Sequence, residues 1–549
     1  MTTSVGAIQE ATAGYNDEFK CSTLEMLHWS QGLFGFVTHL DPLLKCFAPH
    51  VSAPVADSST TPPRTPPAFD GDLDIVSLQR SYSEGLLPVT VLETVLERIE
   101  QYLKLDPAVW IYRETKEKVL DRARDLQDKY TGPSQYPPLF GVPFSVKDSI
   151  DVAGIPTTTS CSALSHVPSQ TSPSVSVLLS LGAIFVGKTN LDSLATGLTG
   201  CRSPYGYPRS VFNSAYISGG SSSGSCVSVG ANLVSFSVAT DTAGSGRVPA
   251  GFNGVVGYKP TKGLISTTGV TPACLSLDCI AIIAQSVSDA QTIWDLTVSF
   301  DPEDRYAKVT SPMAQPFVNS IGPQAEAFKF GVPPPEALQI CSQIYQRRFK
   351  AAVETLQRLG GRLQPIEWTP FEKAGKLLYE GSFVSERLAS LPDNFLKDNR
   401  SSLHPVIAEI FSTVEARICT AADVFRDLHA KALYTRQAEK VFEYSATGVD
   451  VLVVPTAPMH WTIDEVEEDP IKRNSVLGEF THFGNVLDLC GINVPAGTYM
   501  LEEAGQTGER EAGGKTLPFG VTFLGGSQRD TRVLDIAGRF DREMRAIDR

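Results

Sequence analysis

Four short apolar runs, each ended by a polar or glycine-rich turn, constrain the fold of this chain more than any other feature. They are PLFGVPFSVKD from residue 138, GAIFVGKTN from 182, NLVSFSVATD from 232 and VDVLVVPTAP from 449. Continuous apolar runs are typical of strands buried on both faces. Helix-like stretches such as SVSVLLSLG and DAQTIWDLTVSF lie between them. This alternation predicts an α/β fold with a mixed, twisted sheet covered by helices on both faces.

The chain divides into three parts by composition. Residues 1–50 form an N-terminal extension of short helices, residues 51–71 a Pro/Ser/Thr-rich linker, and residues 72–549 the main folded domain. The most apolar stretch of the extension, residues 24–47, carries charged and histidine side chains, which exclude a membrane span. This stretch either packs on the main domain or binds a partner.

Composition limits the partners and the compartment. The formal net charge of −14 argues against binding to nucleic acid or to an anionic membrane, because both need a basic surface. The ten cysteines are scattered without a Cys-x-x-Cys pair, so they predict buried reduced thiols rather than a metal site. The first residues lack the basic and apolar regions of a secretory signal. We therefore expect a cytoplasmic protein that needs neither a metal nor a cofactor.

The segment from Ile217 to Pro260 carries the chemistry. It contains ISGGSSSGS and TDTAGSGR, in which glycine permits close backbone approach to a ligand and serine supplies nucleophilic hydroxyls. Serine needs a base, and no histidine lies between His166 and His404. A distant histidine brought in by the fold remains one alternative. The other is a buried lysine, for which Lys147 at the end of an apolar run is the candidate, although it also fits an ordinary surface loop.

Two local motifs point to other chemistry and are set aside. Residues 182–189 match the phosphate-binding P-loop pattern, but Ala183 to Val186 is a predicted strand where a P-loop needs a turn. Residues 220–224 match the Gly-x-Ser-x-Gly nucleophile elbow, which needs a preceding strand and downstream acid and histidine partners.

The two serine segments, with PFSVKD at residues 143–148, resemble the amidase signature family. The resemblance implies a catalytic triad in which Ser245 is the nucleophile and Ser221, after a cis Gly220–Ser221 bond, bridges it to Lys147. It also implies an oxyanion hole formed by backbone N–H groups and a set of supporting side chains. The oxyanion donors are Thr242, Ala243, Gly244 and Ser245, and the supporting residues are Ser222, Asp241 and Arg247.

The words GKTNLDSLATGL, RSPYG, TDTAGSGRVPA and PACLSLDC resemble the allophanate hydrolase branch of that family. This branch holds its substrate carboxylate with a tyrosine and an arginine eight residues apart. We assign these positions to Phe300 and Lys308, which lack the hydroxyl and the bidentate fork. The extra C-terminal domain typical of the branch is not found after residue 549. Both departures predict weak activity on allophanate and better turnover of a neutral amide.

Three functions stay open at this point. The first is hydrolysis of a small amide or ureido compound, as in allophanate hydrolase. The second is an amidase of a specialised pathway that acts on a larger or neutral amide. The third is a glutaminase-like subunit of an amidotransferase, for which the N-terminal extension offers a surface for a partner or a homodimer.

Overall fold

One mixed sheet organises the described part of the computed structural model. The structure describes residue 69 and residues 71–309, 327–417, 419–443, 445–504 and 514–547, all within the compact unit Pro66–Arg549. Eleven strands in these ranges pair in the order β1-β3-β2-β4-β6-β5-β10-β11-β9-β7-β8. Their bounds are β1 Trp110–Arg113, β2 Pro143–Lys147, β3 Ile184–Thr189, β4 Phe236–Thr240, β5 Val256–Lys259, β6 Ile280–Ala284, β7 Phe328–Gly331, β8 Gly361–Leu363, β9 Val451–Pro455, β10 Cys490–Met500 and β11 Thr516–Gly525.

Helices flank this sheet and build the remaining described structure. Hydrophobic periodicity separates two of them early in the chain, where Asp74 caps α1 and Pro88 opens α2. The helices are α1 Ile75–Ser83, α2 Pro88–Tyr102, α3 Lys116–Lys129, α4 Pro173–Ser180, α5 Ser223–Gly230, α6 Arg247–Phe252, α7 Val287–Thr297, α8 Gln343–Arg358, α9 Thr369–Tyr379, α10 Phe383–Ala389, α11 Phe395–Asn399, α12 Pro405–Ala416, α13 Ala421–Val441, α14 Ile463–Glu468, α15 Pro470–Leu477, α16 His482–Val486 and α17 Asp530–Ile547.

The four apolar runs form strands of the sheet, as predicted. Each residue of β2, β3, β4 and β9 is buried, which agrees with strands covered on both faces. The strand β3 occupies residues 184–189, so the P-loop interpretation is excluded. No strand directly precedes Ser222, and the nucleophile elbow is therefore excluded as well.

The sheet brings two strand ends to one edge. Strands β2 and β4 pair in parallel, with Val146 opposite Val238, so Lys147 and Thr240 end neighbouring strands on the same side. The carboxyl ends of adjacent parallel strands are a common place for ligand sites in open α/β sheets. The loops that leave β2, β3 and β4 all begin at this edge.

Several expectations fall at the margins of the described residues. Residues 1–50 lie outside them, as does the predicted linker apart from residues 69 and 71. The strands β10 and β11 pair antiparallel and follow each other along the chain. The described cysteines are free, and all except Cys419 are buried. None of the described helices combines the length and apolar character that crossing a bilayer requires.

Candidate active site

Lys147 lies at the end of β2 with a fully buried side chain. Its ammonium nitrogen is 2.8 Å from Ser221 Oγ, 3.0 Å from Ser222 Oγ and 2.8 Å from Thr240 Oγ1. No carboxylate of the described residues lies within ion-pair distance of it. Lys147 is therefore a buried amine surrounded by hydroxyl groups.

This environment favours the neutral amine. Burial lowers the pKa of Lys147 because a charged ammonium loses its hydration, while the more distant carboxylates of Asp192, Asp241 and Asp278 raise it. The net result is a pKa of about 7. An amine with this pKa is available as a proton acceptor near neutral pH, which an exposed lysine is not.

The two serines of the predicted triad lie next to each other at this edge of the sheet. The Gly220–Ser221 peptide bond is cis, as the resemblance implies. The Ser222 N–H donates to the Ser245 carbonyl oxygen at 3.2 Å, and the Ser222 hydroxyl donates to the Thr240 carbonyl at 3.0 Å. Ser221 is thus joined to Lys147 through its hydroxyl, whereas Ser245 is joined to this group through backbone atoms.

The loop that follows β4 presents unused backbone donors. Among the hydrogen bonds of the described residues, none uses the N–H groups of Thr242, Ala243 or Ser245. The Gly244 N–H differs, because it donates to Asp241 Oδ1 at 2.7 Å. Of the four predicted oxyanion donors, three are therefore without a protein acceptor in the described structure, and the Gly244 donor is occupied by a carboxylate.

Asp241 and Arg247 hold the shape of this loop. Both are fully buried, and two guanidinium nitrogens of Arg247 reach the two carboxylate oxygens of Asp241 at 2.8 and 3.0 Å. Burial alone raises the pKa of Asp241, but the charge and hydrogen bonds of Arg247 dominate and bring it to about 2. The pair frames the nucleophile loop, and Asp241 stays ionised at neutral pH.

Residues far away in the sequence complete this frame, and the sequence analysis missed them. Asn485 donates from Nδ2 to the Asp241 carbonyl at 2.6 Å, and Thr481 donates to the Ala243 carbonyl at 3.0 Å. Thr242 donates through its hydroxyl to Asp278 at 2.5 Å. Asp278 belongs to the PACLSLDC motif, which therefore supports the nucleophile loop. Asn485 and Thr481 carry no local signal in the sequence.

The structure shows where the two residues of the predicted substrate pair lie. The Phe300 side chain is 55 % exposed. The Lys308 ammonium is paired with Asp488 and also donates to Ser527 Oγ at 3.1 Å. Phe300 thus lacks the enclosure that a small substrate needs, and Lys308 is already neutralised by a carboxylate of the protein.

A second pair in the chain has the required spacing and chemistry. Tyr379 ends α9, and Arg387 lies eight residues later on α10. Arg387 is only 3 % exposed, donates to Thr196 Oγ1 at 2.7 Å, and has no ion-pair partner among the described residues. Its Nε also lacks a hydrogen-bond partner there. A buried guanidinium without an ion-pair partner is suited to bind a carboxylate by donating hydrogen bonds to it.

Two pockets border this pair. Tyr379 lines a pocket of about 230 Å³ together with Arg202, and its ring lies 4.9 Å from the ring of His482. Arg387 lines a neighbouring pocket of about 350 Å³ with Thr196 and Ala273. The described residues assemble no group of three or more His, Cys, Asp or Glu side chains suited to a metal ion.

Comparisons with known proteins agree with this architecture. The sequence matches the amidase family over residues 90–534. It is 37 % identical over 464 residues to the urea amidolyase of Saccharomyces cerevisiae, covering 83 % of this chain and 23 % of that protein. A glutamyl-tRNA(Gln) amidotransferase subunit of Symbiobacterium thermophilum is 29 % identical over 493 residues, covering 86 % of this chain and 96 % of that one.

A solved structure gives the same result. The Kluyveromyces lactis allophanate hydrolase superposes with a TM-score of 0.72 at 34 % identity, covering 85 % of this chain and 72 % of that one. The chain spans less than a quarter of the length of the yeast urea amidolyases that it matches. The chain therefore belongs to the amidase family.

Proposed function

We propose that this chain hydrolyses a small, carboxylate-bearing amide or ureido compound, such as allophanate, through Lys147, Ser221 and Ser245. The observation that carries the proposal is the buried amine of Lys147 in hydrogen-bond contact with the Ser221 hydroxyl. A lysine that is neutral near pH 7 supplies the base that serine requires, and Ser221 is the group through which it acts.

The proton route follows from the order of these groups. Lys147 accepts the Ser221 proton while Ser221 takes the proton of Ser245, whose oxygen then attacks the amide carbonyl. When the tetrahedral intermediate collapses, Ser221 gives its proton to the leaving nitrogen and recovers one from Lys147. An amine or ammonia leaves, and Ser245 holds the acyl group. A water molecule then attacks the acyl-enzyme by the same proton route and restores the free serine.

The oxyanion is assigned to the backbone of the nucleophile loop. The N–H groups of Thr242, Ala243 and Ser245 are free of protein acceptors in the described structure, and donors fixed in advance stabilise developing charge without reorganisation. Asp241 and Arg247 act as supports, because they hold the loop without occupying these three donors.

The substrate carboxylate is assigned to Tyr379 and Arg387. Arg387 supplies a buried guanidinium with an unpaired Nε, and Tyr379, eight residues earlier, lines a separate pocket with Arg202. This assignment replaces the expectation of a neutral substrate, which depended on Phe300 and Lys308. The names of the urea amidolyase and allophanate hydrolase relatives support a ureido acid as the first compound to test.

A panel of substrates tests this proposal. Ammonia release by the purified chain is measured with allophanate, biuret, malonamide, glutamine and an aryl amide. We expect allophanate, which carries the carboxylate, to show a higher kcat/KM than biuret, which has an amide in that place. Equal or better turnover of biuret contradicts the assignment of the carboxylate to Tyr379 and Arg387.

A second function is favoured by the amidotransferase relatives. The glutamyl-tRNA(Gln) amidotransferase subunit matches over nearly its full length, and glutamine also carries a carboxylate beside an amide. In this alternative, the chain releases ammonia from glutamine for a partner, and the N-terminal extension is the proposed contact surface. Glutamine as the best substrate in the same panel would favour this function over ureido hydrolysis.

A further inference from the structure

Asp192 lies beside the proposed catalytic pair without contacting it through its side chain. It follows β3 within the segment GKTNLDSLATGL, and it is fully buried. Within the described ranges its carboxylate has no ion-pair partner at 4.0 Å or less. Nearby Arg202 directs its guanidinium to the Thr196 and Pro470 carbonyls instead, at 2.9 and 2.8 Å. Burial makes the charged form of a carboxylate unfavourable, so a buried carboxylate without an ion-pair partner is uncommon and indicates a functional role.

The hydrogen bonds of Asp192 all go to backbone groups, one of Ser221 and two of the 198–202 loop. Its own N–H donates to the Ser221 carbonyl at 3.1 Å. Its two carboxylate oxygens accept the N–H groups of Gly200 at 3.0 Å and Arg202 at 2.9 Å. The Gly220 N–H donates to the Leu198 carbonyl at 2.9 Å. Asp192 therefore joins the 198–202 loop to the peptide that presents the Ser221 hydroxyl.

Close packing makes this contact specific. A Cβ atom on Gly220 would lie 2.1 Å from Asp192 Oδ2, and one on Gly197 would lie 2.4 Å from the same oxygen. No side chain fits at these distances. The two glycines are therefore required by the carboxylate, which lies directly against the backbone that precedes Ser221.

Three buried carboxylates raise the pKa of Lys147, and they differ in whether a cation of the protein already pairs with them. Asp192 has the largest effect, followed by Asp241 and Asp278, while the nearby Cys226 thiol stays protonated because burial raises its pKa. Asp241 is paired with Arg247. Burial raises the pKa of Asp192, and Arg202 with two backbone N–H groups opposes that rise.

We propose that Asp192 is a positioning residue of the Lys147–Ser221 pair: it holds the Gly220–Ser221 backbone against the 198–202 loop and places a buried carboxylate next to that backbone. The inference rests on the proposed function, since it needs Lys147 as the base. Asp192 does not touch the substrate in this scheme. It places the bridging serine and keeps the lysine basic enough to accept a proton.

The test is the pH profile of kcat for Asp192→Asn. Removing the charge weakens Lys147 as a base, so the acid limb is expected to move to lower pH by about one unit, with a lower plateau. Asp530→Asn is the matched control, because Asp530 is also buried but lies on α17 and is not among the charges that act on Lys147. Its acid limb should match that of the wild type.

If Asp192→Asn lowers the plateau of kcat but leaves the acid limb where it is in the wild type, the proposal is overturned. A residue with a purely structural role would give that result. If this variant does not fold, Arg202→Met replaces it. Loss of the nearby cation strengthens the field of Asp192, and the acid limb should then move to higher pH; an unmoved limb again overturns the proposal. Full activity of Lys147→Met would instead refute the proposed function itself, so the two failures are distinguishable.

Discussion

Two fully buried lysines, on neighbouring strands of the same sheet, have opposite surroundings. Lys188 on β3 forms an ion pair with Asp148 at 2.9 Å and donates to Thr157 Oγ1 at 2.7 Å. Lys147 on β2 lies within hydrogen-bond distance of three hydroxyls and of no carboxylate in the described structure. The two strands are parallel, and Lys188 lies opposite Val146 rather than Lys147. The two side chains therefore leave the sheet on opposite faces.

The difference shows that two buried lysines at one sheet edge can have separate roles, one in stability and one in the proposed chemistry. Burial lowers the pKa of both lysines, but at Lys188 the Asp148 charge and hydrogen bond act directly against this effect. At Lys147 the carboxylates are farther away and burial prevails, which gives a pKa of about 7. A buried lysine is therefore a candidate base only when its contacts are neutral, and a partner carboxylate identifies a structural one.

The largest effect is expected at the nucleophile. Ser245→Ala should abolish both turnover and acyl-enzyme formation, because it removes the oxygen that is proposed to attack the amide carbonyl. Single-turnover assays with mass spectrometry of the acylated protein measure this directly. An acyl adduct that persists in Ser245→Ala would assign the nucleophile to another residue.

The comparison itself is tested by exchanging each lysine for methionine. Lys147→Met should lower kcat by several orders of magnitude while it changes the free energy of unfolding by about 1 kcal/mol per hydrogen bond lost. Lys188→Met leaves Asp148 buried without an ion-pair partner and should destabilise the fold by about 3–5 kcal/mol. Denaturant unfolding and kcat are measured on both variants. Similar losses of stability in Lys147→Met and Lys188→Met would contradict the distinction between a catalytic and a structural lysine.

A smaller effect is expected in substrate recognition. Arg387→Met removes a charge-assisted hydrogen bond worth about 1.5–3 kcal/mol, which corresponds to a loss of about 10- to 150-fold in kcat/KM for a carboxylate-bearing substrate. Turnover of an amide without a carboxylate should change little. If the loss is the same for both kinds of substrate, Arg387 supports the fold and does not bind the carboxylate.

The smallest effect is expected at the position that sequence reasoning favours. The Lys308 side chain is partly exposed and paired with Asp488, and a surface ion pair contributes about 0–1 kcal/mol. Lys308→Met should therefore leave kcat/KM for every substrate within about fivefold, since 1 kcal/mol corresponds to that factor. A selective loss with carboxylate-bearing substrates would restore Lys308 as the recognition residue.

The local sequence predicts the strands well because continuous apolar runs indicate strands that are buried on both faces. It also predicts that Lys147 ends a strand, since the run before it stops at Asp148. It does not predict the partners of the nucleophile loop, because Asn485 reaches the Asp241 carbonyl across 244 residues. The substrate pair stays a prediction. Phe300 and Lys308 follow from alignment by position, whereas the proposed pair Tyr379 and Arg387 lies on two helices much later in the chain and carries no such signal.

The pH dependence of kcat for the wild-type chain tests the central claim most directly. If neutral Lys147 is the base, kcat should rise with increasing pH through an apparent pKa of about 7 and reach a plateau on the alkaline side. The sign follows from the lysine, which is inactive while protonated and active once it has lost its proton. A kcat that is flat from about pH 5 to 9, or that falls as pH rises through 7, would contradict a lysine base.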